Sequence, residues 1–261
     1  MKVAMAAIEA GDYAQAYDML QRTVDVGTVN GKAIGAILLA LLERFDEAEQ
    51  LAHAVNLGGV DRIVRGERQR TTRWRDPAAN GGLVVATDTP MGDLYAAMGA
   101  AFVHQDAVLA TRIKAEITEH ARPIAGTLTF VNGQAKAFEN IADADDAIGQ
   151  MLECYGDDGL LYFPFEGLRR IAPRLPRGII DHLMPLVEVT DTRGTMLVYV
   201  PLLYACSSTS SVKHIRNGGG TIGTLLGAAW RGLGQRDFRV DGGVNGGAVV
   251  GLQSVAAIDF H

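Results

Sequence analysis

The feature that most restricts the fold is a change of pattern near Pro123. Before it, apolar residues recur with helical spacing, as in Tyr13, Ala16, Tyr17 and Leu20, where steps of three, one and three keep one face apolar. After it come short alternating runs separated by glycines: Thr127 to Val131, the pair Asn132-Gly133, then Ala135 to Phe138. Asn-Gly between two alternating runs is a strong hairpin signal, because these residues accept the positive φ that tight turns require. Helices first and mainly antiparallel strands second make an α+β chain. The division reads as a helical-hairpin domain over 1–122 and a mixed domain over 123–261.

The helical half carries a weak internal repeat. Tyr13-Ala14-Gln15-Ala16 and Phe45-Asp46-Glu47-Ala48 share an aromatic followed three residues later by alanine, 32 positions apart, close to the tetratricopeptide period of ~34. A small residue lets two helices cross closely and an aromatic wedges the next one, so tetratricopeptide-like helix pairs are expected. A third region, Met91 to His120, keeps helical spacing without that signature. Ala33 to Leu42 is the longest near-continuous apolar run. It is far short of the ~20 residues that cross a bilayer and reads as a buried core helix.

Further strands are expected at Leu160 to Phe163, Leu186 to Thr190 and Met196 to Tyr199, with a last one near Leu252 to Phe260 after the Gly242 to Gly251 loop. Short helices should sit among them. Asp143 is placed to cap one helix, with Asp145 and Asp146 in its positively polarised first turn, predicting a helix from about Ala144 to Cys154.

Composition narrows the function classes. With 48% hydrophobic and 21% charged residues in 261, the chain can bury a sizeable core. A net charge of -6 argues against a surface that attracts nucleic acid or acidic membrane as a whole. Cys154 and Cys206 form no C-x-x-C pair, too few thiols for a disulfide framework or a thiolate zinc cluster, which fits a reducing cytoplasm. The apolar stretch Val3 to Ile8 is short for a signal peptide, so a cytoplasmic, membrane-free protein is expected.

Several clusters invite chemistry. Asp143, Asp145 and Asp146 could hold a hard cation, yet capping uses all three without one. Gly218, Gly220 and Gly223 spell G-x-G-x-x-G, but no strand precedes them, so a loop is the better reading. Cys206 or the Ser207 to Ser211 run could be paired on paper with His182 or His214, with no G-x-S-x-G elbow or H-E-x-x-H helix in support. Arg62, Arg65, Arg68, Arg70, Arg73 and Arg75 form a dense basic segment, the first three near one side of a helix. They are either a solvated face or a contact for an anionic partner such as nucleic acid. Trp230 with Arg231 and Arg236 suits a binding rim or a turn clamped by stacking.

Four blocks carry a family resemblance: the Gly126 to Gln134 hairpin, Phe138 to Asp145, Tyr162 to Ile171, and Arg231 to Arg236 followed by Val240-Asp241-Gly242. They resemble ImpE-type proteins, also called SciE-type or TagJ, which are accessory proteins of bacterial type VI secretion. The resemblance implies a non-enzymatic, cytoplasmic adaptor with no cofactor and no catalytic or metal-binding residues. Its implied partners are a subunit of the contractile sheath and the AAA+ unfoldase that recycles contracted sheath. A groove between helix pairs would receive an amphipathic helix of a sheath protein, with the β-rich half bracing it or facing a second partner. Arg62, Arg65, Arg68, Trp230, Arg231 and Arg236 are the candidate partner contacts. The competing readings are a nucleic-acid or other anion-binding protein using Arg62 to Arg75, and a metal-dependent or cysteine hydrolase.

Overall fold

The computed structural model describes residues 2–23, 27–76, 90–241 and 248–261. Among the described residues seven helices come first: α1 (Lys2–Glu9), α2 (Tyr13–Gln21), α3 (Val29–Leu41), α4 (Phe45–Val55), α5 (Gly58–Arg75), α6 (Pro90–Val103) and α7 (Ala107–His120). They pack as pairs, α1 on α2, α3 on α4 and α6 on α7, while α5 lies against α3 and α4 on one side and the strands on the other.

Local chemistry sets the helix starts. Asp12, Thr28 and Asp106 each accept a backbone N–H of the first turn, at 3.2, 3.0 and 2.9 Å, caps worth about 1 kcal/mol each. Tyr13 and Phe45 both open the second helix of a pair, and the alanines three residues on, Ala16 and Ala48, are 0% exposed. The expected close crossing is therefore present in both pairs. Helix α3 is buried on nearly every face, as its apolar run required. No described helix is long and apolar enough to cross a membrane.

The strands that follow are β1 (Gly126–Phe130), β2 (Ala135–Phe138), β3 (Asn140–Asp143), β4 (Met151–Gly156), β5 (Gly159–Pro164), β6 (Leu168–Pro173), β7 (Leu186–Asp191), β8 (Thr195–Tyr199), β9 (Thr221–Leu226), β10 (Ala229–Gly234), β11 (Asp237–Asp241), β12 (Ala248–Gly251) and β13 (Val255–Phe260). Short helices α8 (Ile179–Leu183) and α9 (Lys213–Arg216) interrupt them. An eight-stranded sheet runs β2-β1-β13-β6-β7-β8-β4-β5, a three-stranded sheet β12-β11-β3, and β9 pairs β10 as a separate ribbon. The pairings are antiparallel. The Asn132-Gly133 turn joins β1 to β2, with Gly133 at φ +82 and Asn132 Oδ1 accepting the Gln134 N–H. The fold is thus α+β, helical first and antiparallel β-rich second. Residues 242–247 of the expected Gly242 to Gly251 loop lie outside the described residues.

One expected element is absent from its place. Ala144 to Cys154 is not a helix; it is a tight turn running into β4. Asp143 Oδ1 accepts the Asp145 N–H and Asp145 Oδ1 the Ala147 N–H, both at 2.9 Å, so each acid closes a turn on the residue two ahead. That is the competing use of a short acidic side chain, a turn in place of a helix cap. The continuously buried Met151–Gly156 then has to pair as a strand covered on both faces.

Three apolar clusters make the core. One lies between the eight- and three-stranded sheets, around Phe165, Ile171, Phe238 and Ile258. The other two draw on both halves of the chain: α1 to α5 close over Tyr155, Met184 and Leu203, and α6 with α7 closes over Met151, Tyr162 and Tyr204.

Candidate functional site

A cavity of about 710 Å³ opens where the first helices meet the β-rich half. Met5, Ile8 and Leu41 wall one side, and Pro173, Leu183 and Leu202 the other. Leu175 and Val131 stand at its edge, 88% and 69% exposed. Charges of both signs border it, Glu9 and Asp181 against Arg174, with His182 beside them. The groove therefore differs in position from the one expected between helix pairs. Ala16, Ala36, Ala48 and Ala52 are at most 1% exposed and let those pairs pack closely.

Beneath this groove runs a buried chain of charges. Arg70, which also lines the groove, bonds both Glu67 oxygens at 2.8 Å, the Leu203 carbonyl at 2.7 Å and Glu153 at 3.4 Å. Arg236 donates to the Glu153 carbonyl and carboxylate, both at 2.9 Å. Its Nε lies 3.0 Å from Asp143 Oδ2 without hydrogen-bond alignment, so that contact is ionic only. Three phenols complete the set: Tyr155 donates to Glu67, Tyr162 to Glu153 and Tyr204 to Asp143. Every one of these side chains is buried.

Burial and pairing compete along this chain. Burial raises the Asp143 carboxyl to about 6 against the pull of Arg236, and burial with the nearby Asp143 charge raises Asp145 to about 7. For Glu153 burial is overcome by Arg236 and Arg70, which hold it below its ordinary value. Burial likewise opposes the charge of Arg70, but Glu67, Tyr155 and Glu153 outweigh it and raise the guanidinium well above its usual value. Enclosed carboxylates held by guanidinium and phenol groups orient structure; they have no exposed face to offer a substrate. Because Glu67 and Arg70 sit on α5 and the rest on the β-rich half, the network fixes one half against the other.

The acidic turn has an equally structural task. Strand β10 pairs with β9 on one edge, and its other edge is met by two carboxylates and a hydroxyl. Asp146 Oδ2 accepts the Trp230 N–H at 2.8 Å, Asp145 Oδ2 the Gly232 N–H at 3.1 Å, and Ser207 Oγ the Gly234 N–H at 2.8 Å. Side chains thus take the place of a neighbouring strand.

The candidate partner contacts separate into two groups. Arg62, Arg65 and Arg68 do share the outward side of α5, yet each is engaged within the chain. Arg62 pairs with Asp157, Arg65 bonds the Asp157 carbonyl, and Arg68 pairs with Asp46 and Glu49. Arg70 and Arg73 of the same series turn inward. Arg236 must be removed from the list of contacts: it is 0% exposed and touches only the interior. Trp230 and Arg231 lie on a strand and are clamped by stacking, Trp230 edge-on to Tyr204 at 6.4 Å and the Arg231 guanidinium 4.0 Å from the Trp74 ring centre. Gly223 belongs to this packing, since a Cβ there would overlap the Trp230 indole. The G-x-G-x-x-G segment leads into β9, not into a helix. Burial raises the Cys154 thiol far above its usual value. Among the described residues no hydrogen bond links Cys206 to His182 or His214.

Sequence reasoning missed Glu67 and Glu153, and it counted Arg70 in the outward basic segment where the structure buries it. The available signal was Glu153 itself, a lone charge inside the otherwise uncharged run Met151–Gly156.

Comparison with known proteins agrees with this architecture. Residues 135–255 match the model of the family described as ImpE protein. Protein VPA1032 of Vibrio parahaemolyticus, known from its crystal structure, superimposes with a TM-score of 0.79 at 14% identity, covering 99% of this chain and 97% of that one. That likeness establishes a shared fold. No curated protein matches the chain.

Proposed function

We propose, from the ImpE-type character of residues 135–255, that this chain is a non-enzymatic adaptor of a type VI secretion system that holds a segment of a sheath subunit in its apolar groove. ImpE proteins are a non-catalytic accessory family associated with type VI secretion. In this reading the protein acts in the cytoplasm, and the AAA+ unfoldase that recycles contracted sheath is its second partner.

The groove is the observation that carries the proposal. At about 710 Å³ it has mainly apolar walls, with Glu9, Arg174 and Asp181 at the borders and the paired Arg70 at the base, the complement of a helix with one apolar and one polar face. The charge network beneath holds its two walls at a fixed spacing, so the site is formed before the partner arrives.

Binding of purified sheath subunit to the intact chain, measured by calorimetry, tests this. Leu175→Asp and Val131→Asp alter exposed groove residues and leave the core untouched. Each should weaken binding by about tenfold or more, the worth of one buried aliphatic side chain. Equal affinity for the wild type and both variants, or no affinity at all, would reject the groove as the site.

A further inference from the structure

We propose that a second, polar cleft binds a phosphate group carried by a small molecule. The cleft, about 350 Å³, lies between α6, α7 and the turn from β3 to β4, and its polar lining includes Tyr95, Lys114, Arg122 and Arg239. It is separate from the apolar groove, so the proposal stands or falls independently of the adaptor reading.

Its charges do not balance. Lys114 Nζ and Arg239 Nη2 both bond the same atom, Asp146 Oδ1, the arginine at 2.6 Å. The other Asp146 oxygen is already taken by the Trp230 N–H. One carboxylate therefore serves two cations. Arg122 adds a third at the cleft mouth, its side chain 84% exposed and no closer than 3.9 Å to Glu166. Asp241 is the only other acid in the lining among the described residues, so three cations face two carboxylates there on a chain whose net charge is -6.

The hydrogen-bond inventory points the same way. Lys114 and Arg239 each retain N–H groups beyond the one spent on Asp146. The buried Tyr95 hydroxyl accepts the Gln150 N–H at 3.1 Å and has no acceptor for its own proton among the described residues. Donors in excess, partly shielded from water, call for an anion with several acceptor oxygens. A phosphate offers three terminal oxygens to ammonium, guanidinium and phenol at once, and its negative charge is of the sign that the surplus cation attracts; a carboxylate has only two oxygens. The volume is at the low end of ligand sites, enough for a phosphate on a small body.

The test is a calorimetric titration of the intact protein with inorganic pyrophosphate in low-salt buffer. Saturable binding in the millimolar range or tighter is expected, weakened about tenfold by Lys114→Ala and about threefold by Arg122→Ala. Arg122 bears no part of the core, so its variant keeps the test decisive even if Lys114→Ala disturbs Asp146. Arg112→Ala, at an exposed arginine on α7 outside the cleft, should bind as the wild type does. Absence of saturable binding, or equal affinities for wild type, Lys114→Ala and Arg122→Ala, would overturn the proposal.

Discussion

Replacing Arg236 by methionine keeps most of its volume and removes its charge from the centre of the buried network. Three contacts disappear: the donors to the Glu153 carbonyl and carboxylate at 2.9 Å, and the ionic contact to Asp143 at 3.0 Å. Glu153 Oε2 is left with the longer 3.4 Å bond to Arg70, and Asp143 with hydrogen bonds from Tyr204 and the Asp145 amide but no cation. Breaking one side of a buried ion pair costs about 3–5 kcal/mol, a large part of the ~5–15 kcal/mol typical of a folded domain. The loss should also carry a pH signature. The Asp143 carboxyl stands at about 6 because burial outweighs Arg236, and without Arg236 it must rise further. An acid raised above its unfolded value of 3.8 contributes stability that is complete below that value and is lost as pH rises through the folded one. Above pH 6 the variant therefore loses stability more steeply than the wild type, and its deficit should shrink between pH 7.5 and pH 5.5. Urea unfolding at those two pH values measures both quantities. A deficit under about 1 kcal/mol, or one unchanged on acidification, would refute the view that Arg236 neutralises buried carboxylates.

Three further outcomes follow from the same geometry. Asp145 is raised to about 7 by burial and by Asp143, so wild-type stability should fall as pH rises from about 4 to about 7; urea midpoints of Asp145→Asn should be flatter between pH 5 and 7. Gly66→Ala should lose about 1–3 kcal/mol in chemical denaturation, despite alanine's helix propensity, because a Cβ there overlaps the buried Tyr155 ring. Arg68→Ala removes the exposed pairs to Asp46 and Glu49 and should change stability by no more than about 0.5 kcal/mol; a larger loss would show that the outer arginine stripe of α5 is structural.

Much of the architecture was legible because it is set by short-range pattern. The helix pairs follow from apolar spacing and from Ala16 and Ala48, and the first hairpin from Asn132-Gly133. The segment after Asp143 misled because an acid before small residues has two local uses, capping a helix or closing a turn, and the choice depends on Trp230 and Gly232, whose N–H groups these carboxylates also accept. Arg236 misled in the same way. Arginine beside glycines suits an exposed rim, and nothing nearby in sequence announces that Asp143 and Glu153 will meet it.

The groove was beyond sequence reasoning for a different reason. It belongs to no element; it is the space left between two layers, and its walls come from residues as distant as Met5 and Leu202. At its base Arg70 belongs to the charge network, in which α5 supplies Glu67 and Arg70 while the β-rich half supplies Glu153, Arg236 and Asp143. An apolar contact in its place would stabilise the junction equally well or better, since buried ion pairs seldom exceed a packed hydrophobic core. Their gain is geometric: a guanidinium bonded to two carboxylates tolerates one relative position of its partners, whereas aliphatic side chains slide. For the proposed adaptor role a groove at a rigid junction would serve as a preformed site, and its least replaceable residues are therefore expected in the buried network at its base.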